Sequence, residues 1–192
     1  LPNSPKGALI EADFNSLQVE QYDTTNGILG GLNGIFNHGW SSAYMVVNQI
    51  KTDSHGNIWV LNPHEEINDN IIAIRPYQSE TWYHIAAPDE YSYLPTELDF
   101  DSAGRTWVAF ESRRSMENEL YSSGGLKVVR IIGGFEEPLN YVWYDLVNPD
   151  ILPNENVWSL TIDEQDFVWT LTSGGIQGYF FDFSLSGVEL AK

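Results

Sequence analysis

Asp53-Ser54-His55-Gly56-Asn57-Ile58-Trp59 reads Asp-x-x-Gly-x-x-Trp, and near copies recur at Asp101-Ser102-Ala103-Gly104-Arg105-Thr106-Trp107 and Asp163-Glu164-Gln165-Asp166-Phe167-Val168-Trp169. Each copy closes one alternating apolar run and opens the next. Asp at a turn start accepts backbone N–H groups through its side chain, and Gly supplies the positive φ that a bulged hairpin turn requires. In the third copy Asp166 stands in place of Gly. Asp tolerates the left-handed region better than most residues, so the turn survives. The Trp falls in the return strand, where a large aromatic fills space between neighbouring sheets. Repeats of short strands at intervals of 48 (101−53) and 62 (163−101) residues predict β-propeller blades.

The strand pattern outside these turns fits. Residues 7–13 and 17–22 read as two short strands around a turn. Residues 45–52, 58–61, 70–75 and 81–85 make one four-stranded blade, spanning about 44–85. A second blade spans about 96–132, with strands at 96–100, 106–110 and 125–132. Its polar insertion, Glu111 to Ser122, is expected to form a helical turn. A long connection, Gly133 to Asn156, leads to a third blade over about 157–190, with strands at 157–162, 167–171 and 176–182 and an edge strand at Gly187 to Leu190. The expected fold is therefore all-β, with blades of four-stranded antiparallel sheets. Residues 7–22 form a partial blade, about three and a half blades in all. A ring needs about four blades to close, and the chain starts and stops in mid-blade, so a segment of a larger propeller is the preferred expectation over a small closed ring.

Composition narrows the function. The chain has 192 residues, no cysteine and a formal net charge of −18. That charge disfavours nucleic acid, whose phosphates require Lys and Arg. Disulfides, thiolate metal sites and a cysteine nucleophile are excluded. No apolar run reaches transmembrane length. Gly27, Gly30, Gly31 and Gly34 are spaced suggestively, but no Lys-Ser/Thr and no amphipathic helix follow, so they read as a loop and not as a phosphate cradle.

Val157 to Tyr179, VWSLTIDEQDFVWTLTSGGIQGY, resembles the repeat of bacterial two-component-regulator propellers. Trp169, Thr172, Gly175, Ile176 and Tyr179 fall on that pattern. So do Asp53, Gly56 and Trp59, and Asp101, Gly104 and Trp107, followed by Gly125-Leu126 after the insertion. The chain is similar also to the surface propeller of the type IX secretion system, the PorZ type. The resemblance implies a bacterial periplasmic or cell-surface module that binds partners. The alternatives are an extracytoplasmic sensor domain of a two-component regulator and, after it, a propeller lyase or lactonase with a channel cation.

Catalytic signatures are weak. The histidines, His38, His55, His64 and His84, have no metal-ligand spacing, and no Gly-x-Ser-x-Gly elbow occurs. The sialidase turn Ser-x-Asp-x-Gly-x-Thr-Trp fails because Ser102 stands two before Gly104. No cofactor is expected; calcium at the Asp turns is the alternative, although each turn offers too few oxygens for a site by itself. The candidate ligand-binding residues are aromatic: Trp82, Tyr83, Tyr91, Tyr93, Trp143 and Tyr144. Aromatics beside Asp, Asn or Glu suit sugar faces and protein hot spots, and they equally suit packing of blade on blade. The expected partner is a protein or glycan, together with the remainder of a larger propeller, with no nucleic acid and no membrane insertion.

Overall fold

A computed structural model describes residues 9–13, 15–22, 46–63, 70–89, 92, 94–114, 120–145 and 156–180. Every described element is a β-strand. A hairpin, β1 (Leu9–Asp13) and β2 (Gln18–Tyr22), comes first. Blade 1 is the antiparallel sheet β3 (Gln49–Thr52), β4 (Ile58–Leu61), β5 (Asn70–Arg75) and β6 (Tyr83–Ala86). β7 (Pro95–Phe100) and β8 (Thr106–Phe110) begin blade 2. A two-stranded arm, β9 (Arg113–Arg114) and β10 (Leu120–Ser122), interrupts it. β11 (Gly125–Ile131) and β12 (Tyr141–Asp145) then complete it in the order β12-β11-β8-β7. Blade 3 contains β13 (Val157–Ile162), β14 (Phe167–Thr172) and β15 (Gly175–Phe180). The fold is that of all-β propeller blades.

Two expectations change. The Glu111 to Ser122 insertion, expected to form a helical turn, pairs its described ends as the strands of the β9–β10 arm, and its middle, residues 115–119, lies outside the described residues. The stretch read as a long connection contains β12, which gives blade 2 its fourth strand and carries it to Asp145. The sequence reading missed β12 because Gly133, Gly134 and Pro138 punctuate the approach to it, and turn residues mask a short aromatic strand. Tyr91, Tyr93, the glycines at 27–34 and the expected edge strand at 187–190 lie outside the described residues.

Burial follows the stacking of the sheets. β8 is buried at every residue, and β5 at Ile71, Ile72, Ala73 and Ile74, because both faces of these middle strands are covered. Their sequences, TWVAF and NIIAIR, are accordingly near-continuous apolar runs. β14 is covered on one face only and alternates between exposed and buried along FVWTLT.

The core lies between blades. Trp59, Leu61, Ile72 and Ile74 of blade 1 pack against Leu98, Val108, Phe110, Val129 and Trp143 of blade 2. Trp107, Ala109, Leu126 and Val128 then pack against Val157, Leu160 and Val168 of blade 3. Leu9 and Tyr22 of the hairpin cover Val60 and Ala73 on the opposite face of blade 1. The hairpin thus occupies the place of a preceding blade.

Thr170 sits where blades 1 and 2 carry Val60 and Val108, and its buried hydroxyl has no hydrogen-bond partner. A buried, unpaired hydroxyl costs about 1–3 kcal/mol. Thr170→Val keeps the shape and removes that cost, so it should raise stability by about 1 kcal/mol in chemical denaturation. A loss of stability would show that the hydroxyl is satisfied.

Candidate functional site

The three Asp turns have nearly identical geometry. Asp53 Oδ1 accepts the N–H groups of His55 (2.9 Å) and Asn57 (3.0 Å), and its Oδ2 accepts Asn57 Nδ2 (2.8 Å) and Trp59 Nε1 (3.0 Å). Asp101 Oδ1 accepts the N–H groups of Ala103 (3.0 Å) and Arg105 (2.9 Å), while its Oδ2 accepts Trp107 Nε1 (2.8 Å) and Arg105 Nε (2.5 Å). Asp163 repeats the pattern with Gln165 and Phe167 N–H, both at 3.0 Å, and Trp169 Nε1 at 2.9 Å. The interval of six residues between Asp and Trp is therefore set by a hydrogen bond as well as by packing. An indole can only donate, and the turn carboxylate is its acceptor.

The positive φ falls at Gly56 (84°), Gly104 (73°) and Asp166 (61°). Asp166 makes use of its side chain: Oδ1 accepts the Ser102 N–H (2.8 Å) and Oδ2 the Ser102 hydroxyl (2.5 Å). The departure from Gly thus latches the turn of blade 3 to the turn of blade 2.

Inner strands are tied by side chains. Gln49 Oε1 accepts the Leu98 N–H (2.7 Å), and one repeat later Glu97 Oε2 accepts the Leu160 N–H (2.8 Å). Asn48 Nδ2 donates to the Pro95 carbonyl (3.0 Å), and Thr96 Oγ1 to the Val157 carbonyl (2.7 Å). Asp99 accepts the Ile162 N–H (2.9 Å) and pairs with Lys51 (2.7 Å). Neighbouring inner strands share no backbone ladder, so these side chains satisfy the backbone groups that face the next blade.

Most of the described candidate aromatics lie on seams between sheets. Trp82 stacks edge-on with Tyr22 (5.3 Å) and lies under the Arg75 guanidinium (5.5 Å), which also forms a bidentate pair with Glu11. Tyr83 packs on Phe135 (5.5 Å) and donates to its carbonyl (3.2 Å). Trp143 is a buried residue of β12; it packs on Phe110 (6.2 Å) and donates Nε1 to the Ala86 carbonyl (2.9 Å). Tyr144, half-buried, packs against the core between blades 2 and 3. Thr172 Oγ1 accepts the Gly174 N–H (3.1 Å) in the turn where Gly175 takes φ 109°, and Tyr179 donates to Gln177.

Two of the surface concavities are lined by described residues. One, about 410 Å³, lies on the rim formed by the Asp turns, where Asp53, His55, Asn57 and Trp59 of blade 1 face Gly104, Thr106, Ile131, Gly134 and Phe135 of blade 2. The other, about 500 Å³, lies between the hairpin and blade 1. It is strongly acidic, with Glu11, Asp13, Glu20 and Glu80 around Arg75. Neither was legible in the sequence, because each is assembled from residues on different sheets. Among the described residues no cluster of His, Asp and Glu is arranged to hold a metal ion.

No protein-family model and no curated protein gives a significant match to the chain. Among solved structures, PorZ, described as an essential bacterial surface component of the type-IX secretion system of Porphyromonas gingivalis, aligns with a TM-score of 0.60 and 18% identity over 85% of this chain and 21% of that one. The extracellular domain of BT4673 from B. thetaiotaomicron, assigned as a one-component system, aligns with a TM-score of 0.38 and 15% identity over 91% of this chain and 25% of that one. This chain spans about a fifth of the length of the PorZ chain. The likeness to PorZ shows the propeller fold.

Burial opposes the charged form of Asp53, but the bonds from Trp59, Asn57 and the backbone outweigh it and hold its pKa below the ordinary 3.8. The Trp169 indole and the backbone N–H groups lower Asp163 likewise. These bonds favour the ionised, folded state, so their contribution is complete above the unfolded pKa and fades as pH falls through 3.8 toward the lower folded values. Denaturation midpoints should be flat in mildly acidic buffer and fall steeply below about pH 4. Asp101→Ala removes the carboxylate that accepts the buried Trp107 indole and the Arg105 guanidinium and should cost about 3 kcal/mol. Asp163→Ala, on the exposed turn, should cost least of the three. The reverse ranking would refute this account of the turns.

Proposed function

We propose that this chain is a non-enzymatic β-propeller interaction module of a bacterial envelope or surface protein, working as a segment of a larger propeller and binding a protein or glycan partner through its rim. The observation that carries this reading is the commitment of its carboxylates. Asp53, Asp101 and Asp163 hold their turns, while Glu97 and Asp99 hold β13 through its backbone N–H groups. A general base or cation ligand needs lone pairs free to face substrate, and these oxygens face N–H donors of the fold. The described aromatics that suit ligand stacking likewise pack at the seams. Recognition is assigned to the groove on the turn rim and to the loop at 132–140 that lines it, which Phe135 pins to Tyr83. Loops on a rigid scaffold are the usual carriers of binding. The description of PorZ as a surface component of a secretion system supports the extracytoplasmic placement.

Thermal melts of the purified chain with chelator, calcium and a panel of envelope glycans test this reading. The melt should be cooperative and indifferent to chelator and calcium. A glycan partner would raise the stability by about 2.7 kcal/mol at a hundredfold excess over its Kd. A saturable calcium-dependent rise accompanied by lactone or polysaccharide turnover would replace the module with an enzyme.

A further inference from the structure

The described lining of the groove on the turn rim comes from blades 1 and 2 alone. The four turns of these blades on that rim, 53–57, 76–82, 101–105 and 132–140, are all described. Trp59, Ile131 and Phe135 give the groove an apolar lining. Gly104 and Gly134 take positive φ, 73° and 106°, and a Cβ on either would meet no atom within 4 Å. Both leave bare backbone against open space. The polar lining is already engaged. Asp53 accepts four N–H donors of its own turn, which fills its roughly four lone-pair sites. Asn57 donates Nδ2 to Asp53, and its Oδ1 accepts the Tyr77 N–H (2.9 Å). A sugar is oriented by a few directed hydrogen bonds from polar groups of its site, and here the carboxylate and the amide are turned to the fold.

Two undirected attractions are left: apolar contact and charge. Hydrogen bonding occupies the lone pairs of Asp53 without removing its charge. The four turns carry Asp53, Glu80, Asp101, Glu136 and Glu137 against one cation, Arg105, whose Nε is held by Asp101. Glu136 and Glu137 are exposed and follow directly on Phe135. The neighbouring turn of blade 3 adds Asp163, Glu164 and Asp166 and no Lys or Arg. An apolar groove within a field of one sign selects a side chain that is apolar along its stem and cationic at its tip. Given that the rim is the binding surface, as proposed above, we infer that the groove between blades 1 and 2 receives a basic, leucine-like segment of a partner protein. Its apolar side chains and Lys or Arg methylenes would lie on Trp59, Ile131 and Phe135, with the cations toward Glu136 and Glu137. Charge complementarity of this kind speeds encounter and sets orientation, and salt weakens it.

The probe is a fluorescein-labelled octapeptide of alternating Lys and Leu, titrated into the full chain and followed by anisotropy and by the amide NMR signals of Gly104 and Gly134. The same peptide with Ser in place of Leu keeps the charge and loses the apolar side chains. The Lys–Leu peptide should bind saturably, at least about tenfold tighter than the Lys–Ser peptide, and should shift both glycine signals. Glu136→Lys should weaken it at least about fivefold. Glu80→Lys makes the same change of charge beside the other cleft and should leave the affinity within about twofold. Both acids are exposed, so both variants should melt like the parent. Equal binding of the two peptides, or equal weakening by the two variants, would reduce the effect to general attraction toward an acidic protein and overturn the inference. An envelope glycan that shifts the Gly104 and Gly134 signals where the Lys–Leu peptide does not would also overturn it, while leaving the rim as the binding surface. The module reading falls instead to calcium-dependent turnover, so the two failures are distinguishable.

Discussion

One carboxylate accepting two backbone N–H groups and one indole N–H sets the geometry from which the rest follows. A turn made by backbone alone would leave the Trp side chain free to rotate. With Asp53, Asp101 or Asp163 as acceptor, the indole is held at one angle to its sheet. That angle lets Trp59 meet Phe100 of the following blade edge-on, with ring centres 5.3 Å apart. Trp107 is held the same way among the residues that face blade 3. A local hydrogen bond thus determines how two sheets stack, and stacking buries the apolar surface that supplies most of the stability.

Stacked sheets pose a second problem at their inner edges. A strand that pairs on one side only leaves N–H and C=O groups facing its neighbour, and adjacent inner strands stand too far apart for a backbone ladder. Gln49 and Glu97 bridge that distance for Leu98 and Leu160, and Asn48 and Thr96 do so for the carbonyls of Pro95 and Val157. These side chains bring acidic and polar groups to the inner strands, where a sequence search would look for chemistry, and engage them in structural bonds. The strong negative charge of the chain has its structural share here, beside the exposed acids of the hairpin cleft.

The aromatics divide by the same logic. Tyr22 with Trp82 and Tyr83 with Phe135 each join one sheet to the next, and Trp143 of blade 2 does so through its bond to the Ala86 carbonyl of blade 1. Blade 3 carries the same residue types on a face that no described sheet covers. The difference between a core tryptophan and an exposed one is whether a neighbour follows, as Trp107 and Trp169 show.

The sequence by itself determined the strands around each Asp turn, the repeat, and the positions of Asp, Gly and Trp, because these are set by contacts within about twenty residues. β4, β5, β8 and β13 were legible as apolar runs bounded by turn residues. β12 was not, since its identity as a strand depends on pairing with β11 after a loop rich in turn residues. Nor did the sequence show that Asp166 latches onto Ser102, that Trp143 of blade 2 bonds the Ala86 carbonyl of blade 1, or that no described sheet covers the face of Trp169. Those are contacts between blades, and a repeat written along one chain states what each blade is made of, while only the tertiary structure decides which face has a neighbour.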